Sequence, residues 1–232
     1  MTPLVLALLA AEPTFCDERP TNEPPASRGR PAHGRVEGAL ALAESSSVRV
    51  LPKRHKSRCL NWGTPRLVAA LARAGRDVQK RVEGSPPLGV GNIGRARGGS
   101  LVPYSKSHQA GRDCDLAFYA LDASGPVAVD DLEHYDAMLR GREGALRFDV
   151  ARNWALVASL LSDERIELEW LFVSDELKAA LLAHATRIKA APGVIDAARE
   201  KLHQPSDAPP HDDHFHLRLR CTPAERAADC VD

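Results

Sequence analysis

The stretch His214-Phe215-His216-Leu217-Arg218-Leu219 alternates polar and apolar residues without a break. That period fits a half-buried β-strand. It sends Phe215, Leu217 and Leu219 into a core and sets His214 and His216 together on the other face. A second stretch, Ser107-His108-Gln109-Ala110-Gly111-Arg112-Asp113-Cys114-Asp115-Leu116, holds His108 and Asp115 seven positions apart across a turn at Gly111. After the turn, Asp115, Ala117 and Tyr119 share one strand face, while Cys114, Leu116 and Phe118 share the other.

Imidazole nitrogen and carboxylate oxygen are good ligands for zinc. Two short strands of this kind can gather His108, Asp115 and His216 around one ion and leave a fourth position for water. Three protein ligands with an open position is the catalytic arrangement; closed structural sites take four ligands and more cysteine. Any one of these histidines alone is more often a core or surface residue, but two strand-compatible clusters in one small chain favour the metal. His214, beside a ligand and not needed as one, is placed to act as general base. His211, on the loop entering the strand, can assist the oxyanion or orient that base. Asp212 or Asp213 can fix a histidine tautomer. Arg112 has two equally weighted roles: bidentate binding of a substrate carboxylate, or a structural ion pair. Ser107 has no serine-hydrolase elbow around it and reads as a turn residue.

The motif Ser107-His108-x-x-Gly111-Arg112-Asp113-x-Asp115, followed by His211-Asp212-Asp213-His214-Phe215-His216, resembles the penicillin-insensitive murein endopeptidases. These belong to the lysostaphin, D-Ala-D-Ala and hedgehog-like zinc peptidases. The resemblance extends through Asn61-Trp62-Gly63-Thr64, Gly98-Gly99, Pro103 and Arg152-Asn153-Trp154, covering roughly residues 48 to 221. It implies His108, Asp115 and His216 as zinc ligands, with His211 and His214 as catalytic histidines. It also implies peptidoglycan peptides as substrate, with hydrolysis of a D-alanyl–diaminopimelate cross-link by a zinc-activated water. No acyl-enzyme is needed, so β-lactams would not inhibit. The family often carries a further histidine three positions before the first ligand, associated with extra metal. Ser105 stands there in this chain, which argues against a second zinc.

Three other functions compete. A D,D-carboxypeptidase would use the same zinc site. Loss of His214 or His211 would favour a zinc-containing wall-binding domain, yet both are present. A metal carrier would carry denser histidine tracts than His211, His214 and His216.

Lys plus Arg and Asp plus Glu are 31 each, and this zero net charge argues against a nucleic-acid partner. No apolar run is long enough to span a membrane. Residues 1–15 carry the short apolar run Leu4 to Ala11 and suggest a signal peptide, hence a periplasmic or exported protein, although no basic residue precedes the run. Residues 16–47, rich in Pro and Arg, read as a flexible leader, and 48–232 as the zinc peptidase domain. The chain has five cysteines. In an exported protein Cys221 and Cys230 are close enough to close a small loop, and the resembled family staples its tail at this point. Cys16, Cys59 and Cys114 then leave one thiol over, which loss of Cys16 with a signal peptide would explain.

Thr64-Pro65 opens a helix with Leu67, Leu71, Ala74, Val78 and Val82 as its apolar stripe. Further helices are expected over 149–161, after Ser174, and just before His203; strands are expected over 88–93 and 166–173. Residues 122–148 read as a long irregular insert that could wall a cleft. Together these define an α+β fold with a central antiparallel sheet, flanking helices and the metal site on adjacent strands.

Overall fold

The computed structural model describes residues 12–232, and six helices flank a multi-strand central sheet among them. The possible signal peptide over 1–15 lies mostly outside the described residues. The sheet has six strands in the order Leu202–His203, Leu168–Phe172, His214–Leu219, Asp113–Ala117, Leu88–Val90, Val48–Val50. Its three inner pairings are antiparallel, as expected. The pairings at both edges are parallel, so the sheet is mixed. Parallel neighbours require crossovers, and the helices Asp175–Arg187 and Pro192–Lys201 supply one by carrying the chain from Phe172 to Leu202.

Alternation along the His214–Leu219 strand works as the sequence implies. Phe215, Leu217 and Leu219 are fully buried and join Cys114 and Leu116 in the main core. The helix Pro65–Arg81 packs Leu67, Leu71, Ala74 and Val78 into that core. The helix Val150–Leu161 adds Leu156, Val157 and Leu160, and the Asp149 side chain caps it by accepting from the Arg152 amide. Burying an aliphatic side chain of this kind contributes roughly 1.5–3 kcal/mol. All of this lies behind the sheet and leaves the histidine-bearing face for the site.

Within residues 16–47, expected as a flexible leader, the stretch 26–41 holds regular structure. Ala26–Arg30 and His33–Glu37 form a hairpin, and Leu40–Ala41 pairs with Trp62–Gly63. The stabilising partners lie far away in sequence, where composition could not reveal them. Ser27 Oγ donates to Ala110 O at 2.8 Å, Arg28 Nη1 donates to Ala228 O at 2.6 Å, and Val36 is buried. Cys16 is bonded to Cys59, so it is not the unpaired thiol; Cys114 is, and it is buried. The expected Cys221–Cys230 bridge is present.

Arg112 takes the structural one of its two roles. It has no exposed surface, so its guanidinium cannot meet a substrate carboxylate. Its Nε donates to Ser27 Oγ at 3.0 Å, Nη1 to Leu219 O at 2.6 Å, and Nη2 to Val231 O at 2.8 Å. Nη1 also lies 3.3 Å from Asp232 Oδ1. Arg112 thus ties the N-terminal hairpin, the last sheet strand and the C-terminus together.

The insert over 122–148 is partly regular: Ala120–Asp122, Gly125–Val127 and Arg147–Phe148 make a small antiparallel sheet. It reaches the histidine loop, where the Tyr135 amide donates to Asp212 O at 2.8 Å and His134 Nδ1 lies 2.6 Å from Asp212 Oδ1.

Candidate metal centre

Two neighbouring antiparallel strands build the centre. His216 sits directly opposite Asp115, His214 opposite Ala117, and Arg218 opposite Asp113. Cross-strand partners on one face stand within side-chain reach of each other. His108 comes to them from the preceding loop. Its backbone lies in the left-handed region (φ 64°), as does that of Gly111 (φ 67°). A side chain at Gly111 would crowd Val36, since a Cβ would lie 2.8 Å from Val36 Cγ2. The turn that returns the chain from His108 to Asp115 therefore needs glycine there.

Three ligand-type atoms converge. His108 Nδ1–H donates to Ile93 O at 2.9 Å, which turns Nε2 inward. That Nε2 is buried, faces Asp115 Oδ1 at 3.1 Å and makes no hydrogen bond. His216 Nδ1 lies 3.6 Å from the same oxygen. His216 Nε2 is 2.8 Å from Asp113 Oδ1, which also accepts from Arg218 Nε at 2.7 Å. His108, Asp115 and His216 each offer a ligand atom within 4.8 Å of the others. A buried imidazole nitrogen with no partner costs free energy unless something meets its lone pair, and a divalent cation among these atoms would do so. The donor set fits such an ion.

Two more histidines flank the trio. His214 Nε2 is 3.3 Å from Asp115 Oδ1, and its Nδ1–H donates to Asp213 Oδ1 at 2.6 Å. Burial works against charging His214, but the Asp115 and Asp213 carboxylates outweigh it and raise its pKa to about 10. His211 lies beside Phe172, His214 and His216, with ring-centroid distances of 5.6, 5.3 and 6.0 Å. Its Nδ1 is buried without a partner. Burial and then the neighbouring His214 and His216 lower its pKa to about 4. Burial also opposes the charged forms of Asp113 and Asp115, yet facing cations and imidazoles hold both below the usual carboxylate range.

The His211 shift has a consequence in the metal-free protein. Its pKa is lower folded (about 4) than unfolded (about 6.5), so the unfolded chain binds the extra proton in that window. The stability this histidine confers by staying neutral is complete above about pH 6.5 and is lost as pH falls toward about 4. Urea unfolding of metal-free wild type and His211→Phe across that window is expected to show a smaller loss in the variant. Equal losses would contradict the assignment.

The structure thus brings together all five histidine and aspartate residues expected at the site, and Arg112 lies apart in the tail clamp. Sequence reasoning missed three residues around them. Asp113 stands two positions before Asp115 on the same strand face, so alternation could have found it. His55 and Asn92 are both buried, with His55 Nδ1 3.1 Å from Asn92 Oδ1. No local pattern marks either one.

A mixed sheet with three convergent ligand-type atoms beside two further histidines is compatible with a bound metal ion. Over residues 27–232 the chain matches the penicillin-insensitive murein endopeptidases, and it belongs to that family. That family acts on peptidoglycan. No curated protein matches the chain.

Proposed function

We propose that this chain is an exported zinc endopeptidase that hydrolyses D-alanyl–diaminopimelate cross-links in peptidoglycan. The observation that carries the reading is the buried, unpartnered Nε2 of His108, aimed at Asp115 and close to His216. His108, Asp115 and His216 would hold one zinc ion. Zinc of this ligation lowers the pKa of water from about 15.7 toward about 7 and polarises a carbonyl.

The protein's own groups then divide the proton work. With zinc bound, Asp115 would share its charge with the ion and raise His214 less, which would free His214 to accept a proton. Asp213 keeps the His214 proton on Nδ1, leaving Nε2 as the basic atom. His214 takes the water proton there and returns it to the leaving amine. His211, held neutral near pH 7, has a ring N–H with which to steady the developing oxyanion. Asp113 fixes the His216 tautomer by accepting from Nε2, which leaves the Nδ1 lone pair facing Asp115 Oδ1, where it would hold the ion.

Two disulfides among the described residues support an oxidising compartment, hence export. No helix among them is long and apolar enough to cross a membrane.

The reading is tested by incubating the protein with cross-linked muropeptide dimers, with and without a chelator. Conversion of dimers to monomers, abolished by chelation and restored by zinc, is expected. Release of terminal D-alanine with dimers left intact would replace the reading with a D,D-carboxypeptidase. Bound metal without either reaction would leave a binding domain.

A further inference from the structure

The two oxygens of Asp115 have different surroundings. Oδ1 faces His108, His214 and His216. Oδ2 lies 3.4 Å from Asn92 Nδ2, and Asn92 in turn places Oδ1 3.1 Å from His55 Nδ1. Asn92 and His55 are each only 4% exposed. An ionised carboxylate only accepts hydrogen bonds, so Asn92 must turn its NH2 toward Asp115 and its carbonyl toward His55. His55 must then carry its proton on Nδ1. One chain of donation results, from His55 to Asn92 to Asp115.

The backbone locks the same residues together. The Asp115 amide donates to Asn92 O at 2.9 Å, and the Gly91 amide to Asp115 O at 2.8 Å. A Cβ at Gly91 would lie 3.1 Å from Asp115 Cβ and 3.3 Å from His55 Cε1, so glycine lets His55 close against the strand. At the far end, His55 Nε2 is 3.5 Å from Asp131 Oδ1, and Arg54 Nε donates to the other Asp131 oxygen at 2.6 Å. Burying an imidazole and an amide costs free energy unless their polar atoms are paired. Here His55 Nδ1 and both ends of the Asn92 amide are paired along a line that ends on a candidate ligand.

We propose that His55 and Asn92 are positioning residues for Asp115. Asn92 anchors Oδ2 so that Oδ1 is presented to the ion, and His55 acts through Asn92 by fixing the orientation of its amide. The inference rests on the metal reading of the site. Partners behind a ligand tune metal affinity because they hold the ligand in its binding orientation before the ion arrives.

The test is zinc affinity, measured by competition with a chromophoric chelator, for wild type, Asn92→Leu, His55→Leu and the double variant. Asn92→Leu and His55→Leu are each expected to weaken zinc binding by about 10–100-fold. The double variant should be little weaker than Asn92→Leu, because contacts in one chain are not additive. A merely structural role for His55 would lower the unfolding midpoint of the metal-free protein without this coupling. If either leucine variant does not fold, His55→Gln and Asn92→Ser take their place. Glutamine keeps an amide donor for Asn92 and should retain most of the affinity; serine's single hydroxyl reaches less far and should lose it. Wild-type affinity in the Asn92 variants, or effects that multiply in the double variant, overturns the proposal while the metal site stands. A wild type that binds no zinc overturns both.

Discussion

His214→Ala is expected to lower the rate of cross-link cleavage by about 10²–10⁴-fold while the protein keeps its metal. The separation is the informative part. His214 shares Asp115 Oδ1 with the ligands, at 3.3 Å, but its own ring is committed to Asp213 on one side. Removing it deletes a proton acceptor and leaves His108, Asp115 and His216 in place. Asp115→Ala is expected to lose metal and activity together, since it removes the oxygen that the other groups face. Steady-state cleavage of muropeptide dimers alongside metal analysis distinguishes the two. If His214→Ala lost its metal as completely as Asp115→Ala, His214 would be a ligand and the base would have to be sought elsewhere.

Arg112→Met is expected to destabilise the fold by about 3–5 kcal/mol, the usual cost of removing one partner from a buried charged network. The substitution strands Leu219 O and Val231 O, removes the Ser27 contact, and takes away the cation 4.0 Å from Glu169. Arg226 offers the control. It pairs with Asp232 at 2.8 Å but is largely solvent-exposed, so Arg226→Ala should leave the midpoint close to wild type. The readout is the urea midpoint at unchanged slope, which reports stability alone. A small shift for Arg112→Met would mean that the tail clamp is dispensable and would reopen a binding role for this arginine.

The two site strands were legible because their alternation is local: Phe215, Leu217 and Leu219 could face only a core, which set His216 opposite it. The helix from Pro65 was legible for the same reason, through Leu67, Leu71, Ala74 and Val78 at helical spacing. What the sequence hid is held by distant partners. Residues 26–41 contain few large apolar side chains, and their order comes from Ala110, Arg112, Ala228 and the Trp62–Gly63 strand. Cys16 could be assigned only once Cys59 was seen beside it. The parallel edges of the sheet depend on crossovers that periodicity does not encode. At the site, the motif gave the ligand-type residues, while His55 and Asn92 come from separate segments and meet only in the folded chain.

Among the described residues, three groups are close enough to hold an ion: His108 with Asp115 and His216, His211 with His214 and His216, and His134 with Asp212 and Asp213. The proposed metal centre is the first. It is tested most directly by anomalous diffraction at the zinc absorption edge, using crystals grown with zinc. A single strong peak bounded by His108 Nε2, Asp115 Oδ1 and His216 Nδ1 is the predicted result. A peak on either of the other groups, with none against His108, would contradict it.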